Sequence, residues 1–164
     1  MDEKRRIEVK NLSLTINGDQ ILKNISVSFE SGQIYGLVGR NGSGKTMLMK
    51  CICGFVRPTA GEIWIDGKKL GKDMDFPQDM GVIIEVPGFI PYYSGEKNLK
   101  LLAGLRGKIG RKEVRAAMEQ AGLNPGLKKS VSKYSLGMRQ RLGIAQAVMQ
   151  DPAILVLDEP MNGL

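Results

Sequence analysis

The chain has 164 residues, 42% of them apolar and 25% charged, with a formal charge of +7 and not one histidine. That length gives a single domain a core worth burying, and the composition excludes disordered and collagen-like classes. Without histidine there is no Ser-His-Asp triad, no Cys-His pair and no His-based zinc site.

The first six residues, Met1-Asp2-Glu3-Lys4-Arg5-Arg6, precede no long apolar stretch, so no secretory signal is expected there. No apolar run approaches 18 residues, so no transmembrane helix is expected either. From Ile7 the sequence alternates: Ile7, Val9, Leu12, Leu14 and Ile16, then Asn17-Gly18-Asp19, then Ile25, Val27 and Phe29 among serines. That pattern predicts an antiparallel hairpin with one wet face. Ser31-Gly32-Gln33 ends it, and Ile34-Tyr35-Gly36-Leu37-Val38 reads as a short buried strand. A glycine-rich loop leads into a helix from Lys45 to about Gly54. Strands are expected at Glu62–Asp66 and Gly81–Val86, the second closed by Pro87-Gly88.

After Pro91 the spacing turns helical, over Glu96–Leu105, Arg111–Ala121 and Leu136–Met149. Between Lys97 and Met149 twelve lysines and arginines face two acids, a surplus of +10, while the remainder sums to −3. Such a block suits nucleic acid, an anionic membrane surface, an acidic partner or plain solvation. Asp151-Pro152 ends the last helix, and Ile154-Leu155-Val156-Leu157 forms an apolar strand running into Asp158-Glu159. Cys51 and Cys53 are too few and too close for a disulfide framework and read as small buried thiols.

Three segments carry chemistry. Gly39-Arg40-Asn41-Gly42-Ser43-Gly44-Lys45-Thr46 matches G-x4-G-K-[ST] between an expected strand and an expected helix. Its glycines let backbone N–H groups turn inward toward phosphate oxygens, and the helix dipole points to the same place. Lys45 would reach the β- and γ-phosphates, and the Thr46 hydroxyl would ligate Mg²⁺. Asp158, at the carboxyl end of an apolar strand, could hold a hydrated Mg²⁺, and Glu159 could activate a water. Between them, Ser135 in Tyr134-Ser135-Leu136-Gly137-Met138 is suited to cap a helix whose N-terminus is a second anion site.

In this order and spacing, the three segments resemble the nucleotide-binding domain of ATP-binding cassette (ABC) proteins, from about Ile7 to the final residue. The resemblance implies an α/β fold: a P-loop (RecA-like) parallel-sheet core, an N-terminal antiparallel β subdomain and a helical signature subdomain. In these terms residues 1–33 form the antiparallel part, 34–90 the phosphate-loop core, 91–150 the helical subdomain and 151–164 the returning strand. It implies ATP and Mg²⁺ as ligands and a head-to-tail pairing of two ATPase domains. Gly39, Asn41, Gly42, Ser43, Gly44, Lys45 and Thr46 would hold one ATP, with Lys45 and Glu159 catalytic. Ser135 and Gly137 would contact the γ-phosphate of the ATP held by the other protomer.

The sequence departs from the family pattern at several points. The signature reads YSLGM where LSGGQ is usual. Glu85 stands where a glutamine usually contacts Mg²⁺ and water; with Thr46 and Asp158 it completes the expected metal ligands. Glu85-Val86-Pro87-Gly88-Phe89 is similar to the ATPases of bacitracin- and lantibiotic-type peptide exporters. Ile16 stands where an aromatic usually stacks on adenine. The family's switch histidine lies beyond the Asp-Glu segment, and Met161-Asn162-Gly163-Leu164 matches only the start of the loop leading there. The chain is therefore expected to be a C-terminal truncation of a longer ATPase, with its sheet incomplete.

By resemblance the partners are a second ABC ATPase domain and a transmembrane permease, which the basic helical block would meet near anionic headgroups. The expected location is the cytoplasm, peripheral on the inner face of the plasma membrane. No nucleic-acid partner is expected, because no aromatic interleaving accompanies the positive charge. Two alternatives stay open: a nucleotide-binding fragment without hydrolysis, and a non-transport ABC protein acting on nucleic acid or ribosomes.

Overall fold

A computed structural model describes residues 6–85, 88–107 and 109–160. Val86, Pro87 and the segment Met161–Leu164, used in the sequence reading, lie outside the described residues. The chain divides into two compact units, Met1–Gln78 and Asp79–Leu164.

In the first unit, β1 (Arg6–Ile16) and β2 (Asp19–Glu30) form the expected hairpin, closing on the pair Ile16↔Asp19. The two-residue connection Asn17-Gly18 has φ 53° and 90°, the positive values that a twist-compatible hairpin turn requires. Alternation does the rest. Val9, Leu12 and Leu14 of β1 are buried, while Lys10 and Thr15 face out. β1 also pairs antiparallel with β3 (Ala60–Ile65), and β3 with the short β4 (Lys68–Lys69), giving the order β2-β1-β3-β4. The helix α1 (Lys45–Ile52) buries Leu48, Met49, Cys51 and Ile52.

The expected strand Ile34–Val38 does not form. Residues 33–40 carry no regular secondary structure, and Ile34 and Val38 are fully exposed. A strand exists only by hydrogen bonding to a neighbour, and no described strand pairs with this segment. Its apolar composition alone does not supply that edge.

In the second unit, β5 (Met80–Ile83) and β6 (Ile154–Leu157) run parallel in the register Met80↔Ile154 to Ile83↔Leu157. Between them in sequence come α2 (Gly95–Arg106), α3 (Arg111–Gln120), a 3-10 turn at Val131–Lys133 and α4 (Leu136–Val148). Leu99, Val114, Met118 and Leu142 are almost wholly buried and form the centre of this helical core, which also includes Tyr134. Ser94 caps α2 by accepting from the Lys97 N–H, and Gly107, with φ 63°, ends it. Glu96 binds Arg111 and Arg115 and ties α2 to α3. Among the described residues, no helix is long and apolar enough to cross a membrane.

Candidate functional site

The phosphate loop lies in the first unit and closes on itself. Gly42 and Gly44 take φ 80° and 89°, values an L side chain resists, and the Ser43 N–H donates to the Arg40 carbonyl. The Lys45 ammonium donates to the carbonyls of Gly39 (2.7 Å) and Arg40 (3.0 Å), so the first helical residue grips the start of the loop. Gly44 is the N-cap of α1, and its carbonyl accepts from the Leu48 N–H at 2.8 Å. The first turn of a helix directs its N–H groups outward along the axis. Here that turn carries no acid of its own and no capping side-chain hydrogen bond. Such a loop is built to receive an anion. Ile16, at the end of β1, is 37% exposed.

The second unit holds the other sequence-derived residues. The Asp158 N–H donates to the Ile83 carbonyl at 2.7 Å, which pins Asp158 at the carboxyl end of the parallel pair. Glu85 lies two residues beyond the end of the neighbouring strand β5, so both acids belong to the same end of one sheet. That end is where ligands bind in open α/β sheets. Glu85 and Glu159 have φ of 65° and 43°. A left-handed conformation costs a non-glycine residue roughly 1–2 kcal/mol, so the surrounding contacts must hold it. Among the described residues no group of three His, Cys, Asp or Glu side chains converges into a metal cage. Mg²⁺ needs none, since it keeps waters and takes one or two protein oxygens beside phosphate. Within the second unit the carboxylates of Asp158 and Glu85 are hard oxygen donors of the kind that ion takes, and in the first unit the Thr46 hydroxyl is another.

Ser135 is the N-cap of α4, as its residue type predicts, with its Oγ accepting from the Met138 N–H at 3.2 Å. The Arg139 guanidinium donates to the Tyr134 carbonyl at 2.8 Å, and the buried Tyr134 hydroxyl accepts from the Gly95 N–H at 3.3 Å. The tyrosine in place of leucine is thereby explained: its ring fills the helical core while its hydroxyl satisfies the start of α2.

One residue escaped the sequence reading. Gln140, only 8% exposed, donates from its amide to the Glu159 carbonyl at 3.3 Å. Its signal was present, since it lies three and seven residues before the buried Gly143 and Ala147, on a face otherwise packed with small and apolar residues. A polar side chain there requires a partner. Burial pushes the Cys51 thiol up to about 11 and the Cys53 thiol up to about 12, as inert core thiols require. The basic block is partly committed to its own fold. Lys97 lies over the Tyr93 ring and Lys129 over Tyr134, while Arg111 and Arg115 bind Glu96 and Arg141 donates to the Gly122 carbonyl.

The family model described as ABC transporter matches residues 22–162. The chain belongs to the ABC transporter family. It is 46% identical over 158 residues to the uncharacterized ABC transporter ATP-binding protein YybJ of Bacillus subtilis (strain 168), covering 96% of this chain and 72% of that one. It is 42% identical over 159 residues to the bacitracin transport ATP-binding protein BcrA of Enterococcus faecalis, with 96% and 52% covered. The lantibiotic transport ATP-binding protein SrtF of Streptococcus pyogenes is 34% identical, with 96% and 68% covered. The chain thus spans about half the length of several relatives it matches. Among solved structures, the dimeric bacterial ABC transporter cassette MJ0796 superimposes with a TM-score of 0.84 at 25% identity, covering 96% of this chain and 75% of that one. The same cassette has been solved in a post-hydrolysis state bound to ADP and Pi. The chain is therefore an ABC transporter ATP-binding subunit with the expected α/β architecture, in a family of ATP hydrolases.

Proposed function

We propose that this subunit binds MgATP, pairs head to tail with a second ATPase domain, hydrolyses the nucleotide and thereby drives export of a peptide or drug through a membrane permease. The observation that carries the reading is the phosphate loop: two glycines at positive φ, a lysine closing the ring and an α-helix opening without acids. The bacitracin and lantibiotic transport relatives support a role in transport of peptide-like substrates. The cytoplasmic face of the membrane is the location that this role requires.

In the proposed mechanism the loop from Gly39 to Thr46 wraps the phosphates, with the N–H groups of Asn41, Gly42 and Gly44 turned to their oxygens and that of Ser43 leaving the Arg40 carbonyl to join them. Lys45 exchanges its two carbonyl partners for the β- and γ-phosphates. Thr46, Asp158 and Glu85 are the residues that would hold Mg²⁺, which supplies charge neutralisation on the phosphate oxygens. Glu159 orients the attacking water and accepts its proton. Ser135 and the Gly137 backbone meet the γ-phosphate held by the partner domain, and Ile16 gives the base an apolar contact. Catalysis in this scheme is positioning and electrostatics.

The test is steady-state ATP turnover of the purified intact protein with two variants. Glu159→Gln is expected to abolish turnover while leaving ATP binding in place. Ser135→Arg is expected to spare binding and block ATP-dependent pairing, read by light scattering. Binding without turnover in the unaltered protein would instead make the chain a nucleotide-holding module, and normal pairing of Ser135→Arg would remove the signature role.

A further inference from the structure

Gln140 lies one turn inside α4, the helix that Ser135 opens, and its amide reaches the backbone of Glu159 nineteen residues away. Three features converge on this contact. The Gln140 side chain is buried, so its amide depends on protein partners rather than solvent. Glu159 is held at φ 43°, a conformation that persists only where contacts over-determine it. The preceding residue, Asp158, is fixed to β5 through its N–H, so the Asp158-Glu159 pair is held at its start from the sheet side and at its end from the helix side. We propose that Gln140 is a positioning residue for Glu159, through which the helix bearing the signature serine holds the candidate base in its left-handed conformation.

This rests on the assignment of Glu159 as the water-activating residue. It goes beyond that assignment by giving one helix two duties: Ser135 at its tip serves the ATP held by the partner, and Gln140 serves the ATP held by its own protomer. A shift of α4 when the tip engages would be felt at Glu159 through one amide. The element proposed to carry the coupling is one uninterrupted helix, Leu136–Val148.

The test compares Gln140→Met and Gln140→Glu with the unaltered intact protein, each checked for ATP affinity by titration and for folding by thermal melting. Gln140→Met keeps the shape and removes the donor. It is expected to lower kcat about tenfold or more with ATP affinity within about twofold, and to move the Glu159 carbonyl carbon resonance upfield in NMR spectra. Gln140→Glu places a carboxylate oxygen against the carbonyl when ionised and restores a donor when protonated. Its kcat deficit should therefore shrink as the pH falls, while that of Gln140→Met does not. Unchanged kcat in Gln140→Met, an unmoved Glu159 resonance, or equal pH profiles for the two variants would overturn the proposal. Glu159→Gln run in parallel separates the two layers. Loss of turnover there with normal Gln140→Met defeats the positioning role alone, whereas retained turnover defeats the assignment of the base and the inference together.

Discussion

Replacing Gly44 by alanine loads the phosphate loop in a way that can be worked out from its surroundings. At φ 89° an L residue stands beyond the usual left-handed well, at a cost of about 1–2 kcal/mol. The added Cβ would lie 2.7 Å from Leu22 Cδ2 and 3.1 Å from the Ile21 carbonyl oxygen. Leu22 is buried and the carbonyl belongs to β2, so neither can swing into solvent. Overpacking of this kind adds about 1–3 kcal/mol. Gly42 is the internal control, because φ is 80° there but a Cβ meets nothing within 4 Å. The gain from restricting the unfolded chain, about 0.4–1 kcal/mol for Gly→Ala, is common to both and cancels in the comparison. Urea unfolding of the two variants at constant m should therefore separate them by about 1–3 kcal/mol, with Gly44→Ala the less stable. ATP affinity should fall in Gly44→Ala as the loop shifts. Equal midpoints for the two variants would refute the claim that the loop is wedged against β2.

Two further outcomes follow from charge and burial. The Arg111 hydrogen bond, with the charges of Arg111 and Arg115, holds the Glu96 carboxyl below its ordinary value of 4.5. A depressed carboxylate contributes stability above its unfolded pKa and loses it as the pH falls through the folded one. Melting temperature should thus fall more steeply on acidification below about pH 4.5 in the unaltered protein than in Glu96→Gln, and parallel curves would contradict the ion-pair role. With the Cys51 and Cys53 thiols pushed up to about 11 and about 12 from 9.0, native alkylation at neutral pH should be at least about a hundredfold slower than in urea. Comparable labelling rates in mass spectra would show that one of them is not buried.

Local patterning made much of this fold legible. Alternation plus Asn17-Gly18 located the hairpin, Ser135 located the start of α4, and the four apolar residues Ile154–Leu157 match β6 at both ends. Each of these signals acts within a few residues. What escaped depends on partners far away in sequence. Ile34–Val38 has the composition of a buried strand, but composition does not supply the hydrogen-bonded neighbour. The Tyr134 hydroxyl meets Gly95 across 39 residues and Gln140 meets Glu159 across 19, so neither pairing follows from periodicity. In the candidate site, the residue types of the loop and of Asp158-Glu159 were readable from motif order. The positive φ of Glu159 and its tether to α4 were not, because an acidic residue carries no sequence mark of left-handed backbone.

ATP binding by the phosphate loop is the step on which every later one in the proposed cycle depends. Its most direct test is calorimetric titration of ATP into the intact protein and into Lys45→Ala, with folding of the variant verified by melting. Loss of the Lys45 ammonium and its charge-assisted contacts to phosphate, worth together about 3 kcal/mol, should weaken ATP roughly a hundredfold in the variant. Equal ATP affinity in the two proteins would contradict it.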